Sequence, residues 1–333
     1  MNERMDRTKL NIGAYILQPY ARSERHVKEI AECGLDFIVC MAYDRAALDL
    51  FENYGVGAIV SGVVPGWWGG NGDNAGKMEE TNPLAKYEEA SKVFADHPAV
   101  WGIDDGDEPS ALDFLHYGKV VSLTEKLFPH QFSYVNLYPN YASIAKNTSE
   151  QVLSQLGTAT YQEHIEQYVE KVPTDYISYD HYMYSTKNPS RAYENLRIVA
   201  NACRGSNRSM WIVLQVNSDR ENEWISENQL RHQAFSAMAF GAEVIMWACY
   251  ADGWWYNNVL DKNGEKTEQY DKLRKINGEI ARMGVPYMNY KNLSTHFVGF
   301  ENSEAFAKVG QQSVERLDAG AFSGICAENG ESV

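Results

Sequence analysis

Cysteine is sparse in this chain and spaced wrongly for a metal: there are five in 333 residues. Cys33, Cys40, Cys203, Cys249 and Cys326 form no Cys-x-x-Cys pair and no Cys/His zinc pattern, and Cys40 and Cys249 lie inside apolar runs where a thiol acts as a small hydrophobe. Neither a disulfide framework nor a metal or other cofactor is expected. Long hydrophobic runs are also missing, and none approaches the roughly 20 residues of a membrane span. Basic residues are in deficit, with 30 Lys and Arg against 45 Asp and Glu and a net charge of −15. Without a basic cluster, nucleic acid is disfavoured as a partner. The start, Met-Asn-Glu-Arg-Met-Asp-Arg, has no apolar core behind it, which reads as a cytoplasmic protein or one whose leader has been removed. No internal repeat or low-complexity linker is present, and nothing sets an oligomeric state.

What is present is a regular alternation. Apolar runs at residues 10–17, 36–43, 56–65, 100–108, 132–138, 176–182, 210–216 and 243–250 read as strands. Helical periodicity fills 23–33, 45–54, 83–95, 114–127, 161–171, 191–203, 227–240 and 266–283. Strands alternating with helices pair in parallel through right-handed crossovers, and eight such units close a barrel and remove both sheet edges. The expected fold is an α/β (β/α)8 TIM barrel over 1–285, followed by a partial β-rich appendage over 286–333.

The fourth strand carries the strongest chemical signal. Val100-Trp-Gly-Ile-Asp-Asp-Gly-Asp-Glu-Pro109 ends an apolar run in four carboxylates, Asp104, Asp105, Asp107 and Glu108. Acids crowded at a strand end repel one another and lose hydration, so at least one should have a raised pKa and stay protonated near neutral pH. The alternative is an ordinary Asp/Gly/Pro turn.

Barrel enzymes work at the C-terminal ends of their strands. Those ends present Trp67 and Trp68 after strand three, Asp107 and Glu108 after four, and Asn136 and Tyr138 after five. Asp180, His181 and Tyr182 follow strand six, Gln215 strand seven, and Trp247 and Trp255 the eighth. Acids, amides and flat rings suit a sugar, with acids at the glycosidic bond, amides on hydroxyls and rings on pyranose faces. Competing chemistries lack their parts: strand one has no His-x-His for a metal, no strand end has a Schiff-base lysine, and no glycine run follows strands seven and eight to cradle a phosphate. Each candidate also has a structural alternative: the Trp pair can anchor a loop, and Asp180, His181 and Tyr182 can form a polar network beneath the site.

Four segments carry a resemblance: His97-Pro-Ala-Val-Trp-Gly102 leading into Asp107-Glu108-Pro109, Tyr134-Val-Asn-Leu-Tyr-Pro139, Ile177-Ser-Tyr-Asp-His-Tyr182 and Phe240-Gly-Ala-Glu-Val-Ile-Met-Trp247. Over about residues 10–283 the chain resembles (β/α)8 glycoside hydrolases related to clan A, particularly barrel proteins of carbohydrate-degrading gut bacteria. The resemblance implies hydrolysis of O-glycosidic bonds in a poly- or oligosaccharide, with Glu108 as general acid/base and Asp107 where many members have Asn. It also implies a Glu nucleophile at the end of strand seven in retaining enzymes, where this chain has Gln215.

An amide cannot attack an anomeric carbon, so four readings stay open. They are inversion with Asp180 activating water, a nucleophile from Asp180, Glu221 or Glu223, assistance by a substrate N-acetyl group as in chitinase-like barrels, and a barrel that binds sugar without turnover. Asp180 is the favoured second carboxylate, because strand six lies two strands from strand four across the mouth, and His181 or a nearby tyrosine can hydrogen-bond it. Asp252, Glu221 and Glu223 sit on longer loops.

Overall fold

A computed structural model of the chain describes residues 4–144, 154–186, 189–297, 322–328 and 331–332. Eight parallel strands close in chain order: β1 Asn11–Tyr15, β2 Phe37–Ala42, β3 Gly57–Ser61, β4 Val100–Asp107, β5 Phe132–Leu137, β6 Tyr176–His181, β7 Ser209–Gln215 and β8 Ala242–Ala248. β8 pairs with β1, so no edge is left open. The helices around them are α1 Glu24–Glu32, α2 Arg45–Tyr54, α3 Met78–Thr81, α4 Leu84–Ser91, α5 Phe114–Leu127, α6 Tyr161–Lys171, α7 Pro189–Ser206, α8 Glu227–Ala239 and α9 Glu268–Met288. This is the (β/α)8 barrel expected from the alternation. Outside it, β9 Lys291–Phe297, β10 Phe322–Glu328 and β11 Glu331–Ser332 form an antiparallel sheet.

Local chemistry explains the helix ends. Asp44 accepts a hydrogen bond from the Ala47 amide to start α2, and Gly55, at φ +69°, ends it in the left-handed region. Thr160 with Glu163, and Ser226 with Gln229, form reciprocal caps on α6 and α8. α9 runs to Met288, beyond the expected 283, because its buried stripe of Leu273, Ile276, Asn277, Ile280 and Gly284 continues at helical spacing.

Strand alternation divides the core in two. Side chains facing out pack under the helices, while Phe37, Phe132, Tyr134, Tyr176 and Trp211 fill the barrel interior. Tyr176 stacks on Trp211 at 4.2 Å between ring centroids. Glycines sit where rings need room: a Cβ on Gly57 would stand 2.2 Å from the Trp101 ring. Met5 joins this interior cluster, and the Arg7 guanidinium covers Trp211 at 5.4 Å. No helix among the described residues is long and apolar enough to cross a membrane.

Candidate active site

The site begins with two irregularities in β4. Its pairing with β3 skips a residue between Val100 and Gly102, and its pairing with β5 skips one between Asp104 and Gly106. In a regular strand, residues three apart face opposite sides. The second skip resets the alternation, so Asp104 and Asp107 both turn inward while Asp105 turns out to the helix layer. Glu108 follows at φ +49°, an uncommon conformation for a non-glycine residue, with its amide donating to the Asn136 carbonyl at 2.8 Å.

The loop after β3 is zipped onto this strand end. The Asp107 amide donates to the Trp67 carbonyl at 2.7 Å, and the Gly69 amide to the Asp107 carbonyl at 3.1 Å. The pairing brings the Trp68 indole to Glu108, where Nε1 donates to Oε2 at 3.3 Å. Gly69 permits the approach, since a Cβ there would lie 1.7 Å from the Glu108 carbonyl oxygen and 2.5 Å from the Tyr138 hydroxyl. The Tyr138 hydroxyl donates to the Gly70 carbonyl at 2.6 Å, bracing the loop from behind.

Asn136 joins the acids of two strands. Its Nδ2 donates to Asp107 Oδ1 at 3.1 Å and to Asp180 Oδ1 at 3.0 Å, while its Oδ1 accepts from the Ser178 hydroxyl at 2.9 Å. Two acceptor carboxyls on one side call for the NH2 end there, and the hydroxyl, able to donate, serves the amide oxygen. Below it the chain continues through the Tyr134 hydroxyl, 3.1 Å from Ser178 Oγ, to the Tyr15 hydroxyl hydrogen-bonded to it. The Tyr141 hydroxyl lies near enough to Asp180 to favour its ionised form. Asp104 accepts from the Cys40 thiol at 3.3 Å.

Burial raises every carboxyl here. Asp104 is pushed up to about 6, and Asp107 to about 7 with Asp104 adding repulsion. Glu108 is held well above the usual range by burial and then by Asp180 and Asp107. Asp180 is also raised well above its ordinary value, by burial and Asp107, with Asn136 and Tyr141 opposing. Hydrogen-bond donors favour the ionised form of a carboxyl. Asp180 and Asp107 both accept from the Asn136 amide, whereas Glu108 has only the Trp68 indole at 3.3 Å, which leaves Glu108 the least supported as an anion.

Other candidates lie elsewhere. Trp67 is buried in the helix-side core, so only Trp68 of the pair, 58% exposed, borders Glu108. His181 faces the helix layer, with Nδ1 3.0 Å from Asn195 Oδ1, so Tyr141 and not His181 supports Asp180. Alternation forces this, since an inward Asp180 sends its neighbour outward. Trp247 likewise points out, donating to Asn277 of α9 at 3.0 Å. Gln215 is buried and committed: Oε1 accepts from the Tyr184 amide at 3.1 Å, and Nε2 donates to Ser185 Oγ at 2.9 Å and the Asn217 carbonyl at 3.0 Å. It is a strut for the loop after β6, with no polar atom left for a ligand. Tyr182 faces inward, its ring 5.0 Å from that of Trp255. Glu223 pairs with Arg220 on the surface. Tyr141 and Cys40 were missed by sequence reasoning; Tyr141 lies on a loop with no periodic signal, and Cys40 turns inward only through a positive φ of 57°.

No family model matches the sequence, and no curated protein is similar to it. Solved structures are similar in fold. A putative α-L-fucosidase from Bacteroides thetaiotaomicron superposes with a TM-score of 0.57 at 11% identity, over 81% of this chain and 94% of that one. The likeness is one of fold, a (β/α)8 barrel. A β-galactosidase from the haloarchaeon Halorubrum lacusprofundi matches with a TM-score of 0.56 at 14% identity, over 82% of this chain and 58% of that one. A family 42 β-galactosidase from G. stearothermophilus matches at 0.54 and 10% identity, over 87% and 59%. The chain thus spans about three-fifths of the length of these two galactosidases.

Proposed function

We propose that this protein is a glycoside hydrolase cleaving O-glycosidic bonds of a poly- or oligosaccharide, with Glu108 as general acid. The observation that carries the reading is Glu108 itself: a half-buried carboxyl at the barrel mouth, pushed to keep its proton, with one oxygen steadied by Trp68. A carboxylic acid in that state can protonate a departing glycosidic oxygen. Asp180 and Asp107, each served by the Asn136 amide, are the carboxyls best fitted to ionise. We assign Asp180, across the mouth from β4, as the carboxylate that activates water or meets the anomeric carbon. Trp68 offers a sugar an exposed ring beside the acid, and glycosidases of the same fold fit a carbohydrate substrate.

The test is sugar release from plant and host glycans by the wild type beside Glu108→Gln. Equal cleavage by both proteins would remove Glu108 from the mechanism. One observation favours a second reading, a sugar-binding barrel without turnover: strand seven ends in an amide engaged by the loops after β6 and β7. Calorimetric binding of a glycan that stays intact on long incubation would select that reading.

A further inference from the structure

A cleft of about 570 Å³ opens between the loop joining β7 to α8 and the loop joining β8 to α9. That size lies within the roughly 300–1,000 Å³ of small-molecule sites. We propose that this cleft holds the continuation of an uncharged oligosaccharide whose scissile bond lies at Glu108, an inference that rests on the hydrolase reading above for its orientation.

The walls are preformed. Ser218 and Tyr256 exchange backbone hydrogen bonds at 2.9 and 2.8 Å across the two loops. Asn257 Nδ2 donates to the Glu221 and Glu223 carbonyls at 3.0 and 2.7 Å, and Asn217 Nδ2 to the Trp254 carbonyl at 2.6 Å. Loops cross-linked in this way need little ordering when a ligand arrives.

The lining is aromatic and acidic. Trp224 and Tyr256 are 39% and 49% exposed, large rings held in water at the edge of a cavity. Trp255 is held at φ +67°, an uncommon conformation for a bulky residue that persists only where surrounding structure enforces it. It stands edge-on to Tyr182, two residues beyond Asp180 on the same strand face, and so connects the cleft to the mouth on the Asp180 side. Flat exposed rings match the apolar faces of sugar units. Charge narrows the class. Glu221, Asp252 and Asp261 line the cleft against a single Lys262, and Asp261 is held below the usual carboxylate range by the Glu265 and Asn263 amides. A uronate or sulfated chain would meet like charge there. An uncharged chain would not.

The experiment measures calorimetric binding to full-length Glu108→Gln protein, using neutral gluco-, manno-, galacto- and xylo-oligosaccharides of one to six units. Oligogalacturonates of equal length are the anionic comparison. Affinity in at least one neutral series should climb with length. Trp224→Ala and Tyr256→Ala, in the same background, should each cut the longer-chain gain by about tenfold, and Trp224→Phe should restore part of it. The inference is overturned if no neutral series binds, if affinity is flat with length, if the ring variants bind like their parent, or if oligogalacturonate binds as tightly. Wild-type hydrolysis is read separately. Length-dependent binding without any product would sink the hydrolase reading and leave the cleft standing, while products from chains of every length at one affinity would do the reverse.

Discussion

Asp105 on β4 and Glu108 just past its end are three residues apart, both buried enough to hold protons above the ordinary range, and they do opposite things. Asp105 points out of the barrel, fully enclosed, with one oxygen accepting from Thr124 Oγ1 at 3.1 Å and the other hydrogen-bonded to Ser133 Oγ. Burial pushes it up to about 8, yet nothing can reach it. Glu108 points into the mouth with one weak partner and part of its surface open. A raised pKa therefore marks burial, and only direction and access separate a structural acid from a reactive one.

The sharpest way to break this contrast is Glu108→Gln, which keeps the shape and removes the proton. Turnover should fall by about 10²–10⁴-fold, read as kcat on whichever glycan the wild type cleaves. Asp105→Asn should leave kcat near the wild-type value. Gly69→Ala comes next. Its Cβ would collide with the Glu108 carbonyl, displacing the Trp68 loop from the acid, so activity should drop at least about tenfold, with a stability loss of about 1–3 kcal/mol in denaturant melts.

The pH dependence of stability tests the buried acids together. Asp104, Asp105 and Asp107 hold protons to about 6, 8 and 7 when folded but titrate near 4 when unfolded. Between about pH 4 and 8 the folded chain therefore binds more protons, and its stability falls as pH rises, by up to about 1.4 kcal/mol per pH unit for each such group. The thermal midpoint should climb as pH drops from 8 to 5. It should then decline below about 4, where the paired surface carboxyls Glu265 and Glu279, held low by Arg25 and Arg231, become protonated. A flat profile from pH 8 to 5 would contradict the burial argument. The smallest effect is expected from Ser133→Ala, which strips one partner from Asp105 and should cost about 1–3 kcal/mol in stability with kcat unchanged.

The barrel was legible because its signals are local. The helices at Arg45–Tyr54, Phe114–Leu127 and Tyr161–Lys171 have the expected ends, set by apolar spacing and, for two of them, by caps at Asp44 and Thr160. The acids of β4 and β6 stood out for the same reason, as charges ending apolar runs. Individual side-chain directions were less legible. His181 and Trp247 were legible in principle from the two-residue alternation of their strands, but the facing of Asp104 against Asp107 was not, because it depends on a skipped residue that no composition marks. Trp67 and Trp68 exchange burial for exposure through backbone pairing with Asp107, which joins segments about 40 residues apart.

The sequence by itself determined an eightfold strand and helix alternation, a closed parallel barrel, and a cluster of carboxyls at one strand end. Those follow from periodicity and burial, which act over a few residues. Tertiary structure alone decided which carboxyl faces the mouth, that Asn136 turns its amide to both Asp107 and Asp180, and that Gln215 is spent on a loop. These depend on register and on hydrogen-bond partners contributed by distant strands, and a one-residue shift in register moves a side chain from one face of the sheet to the other.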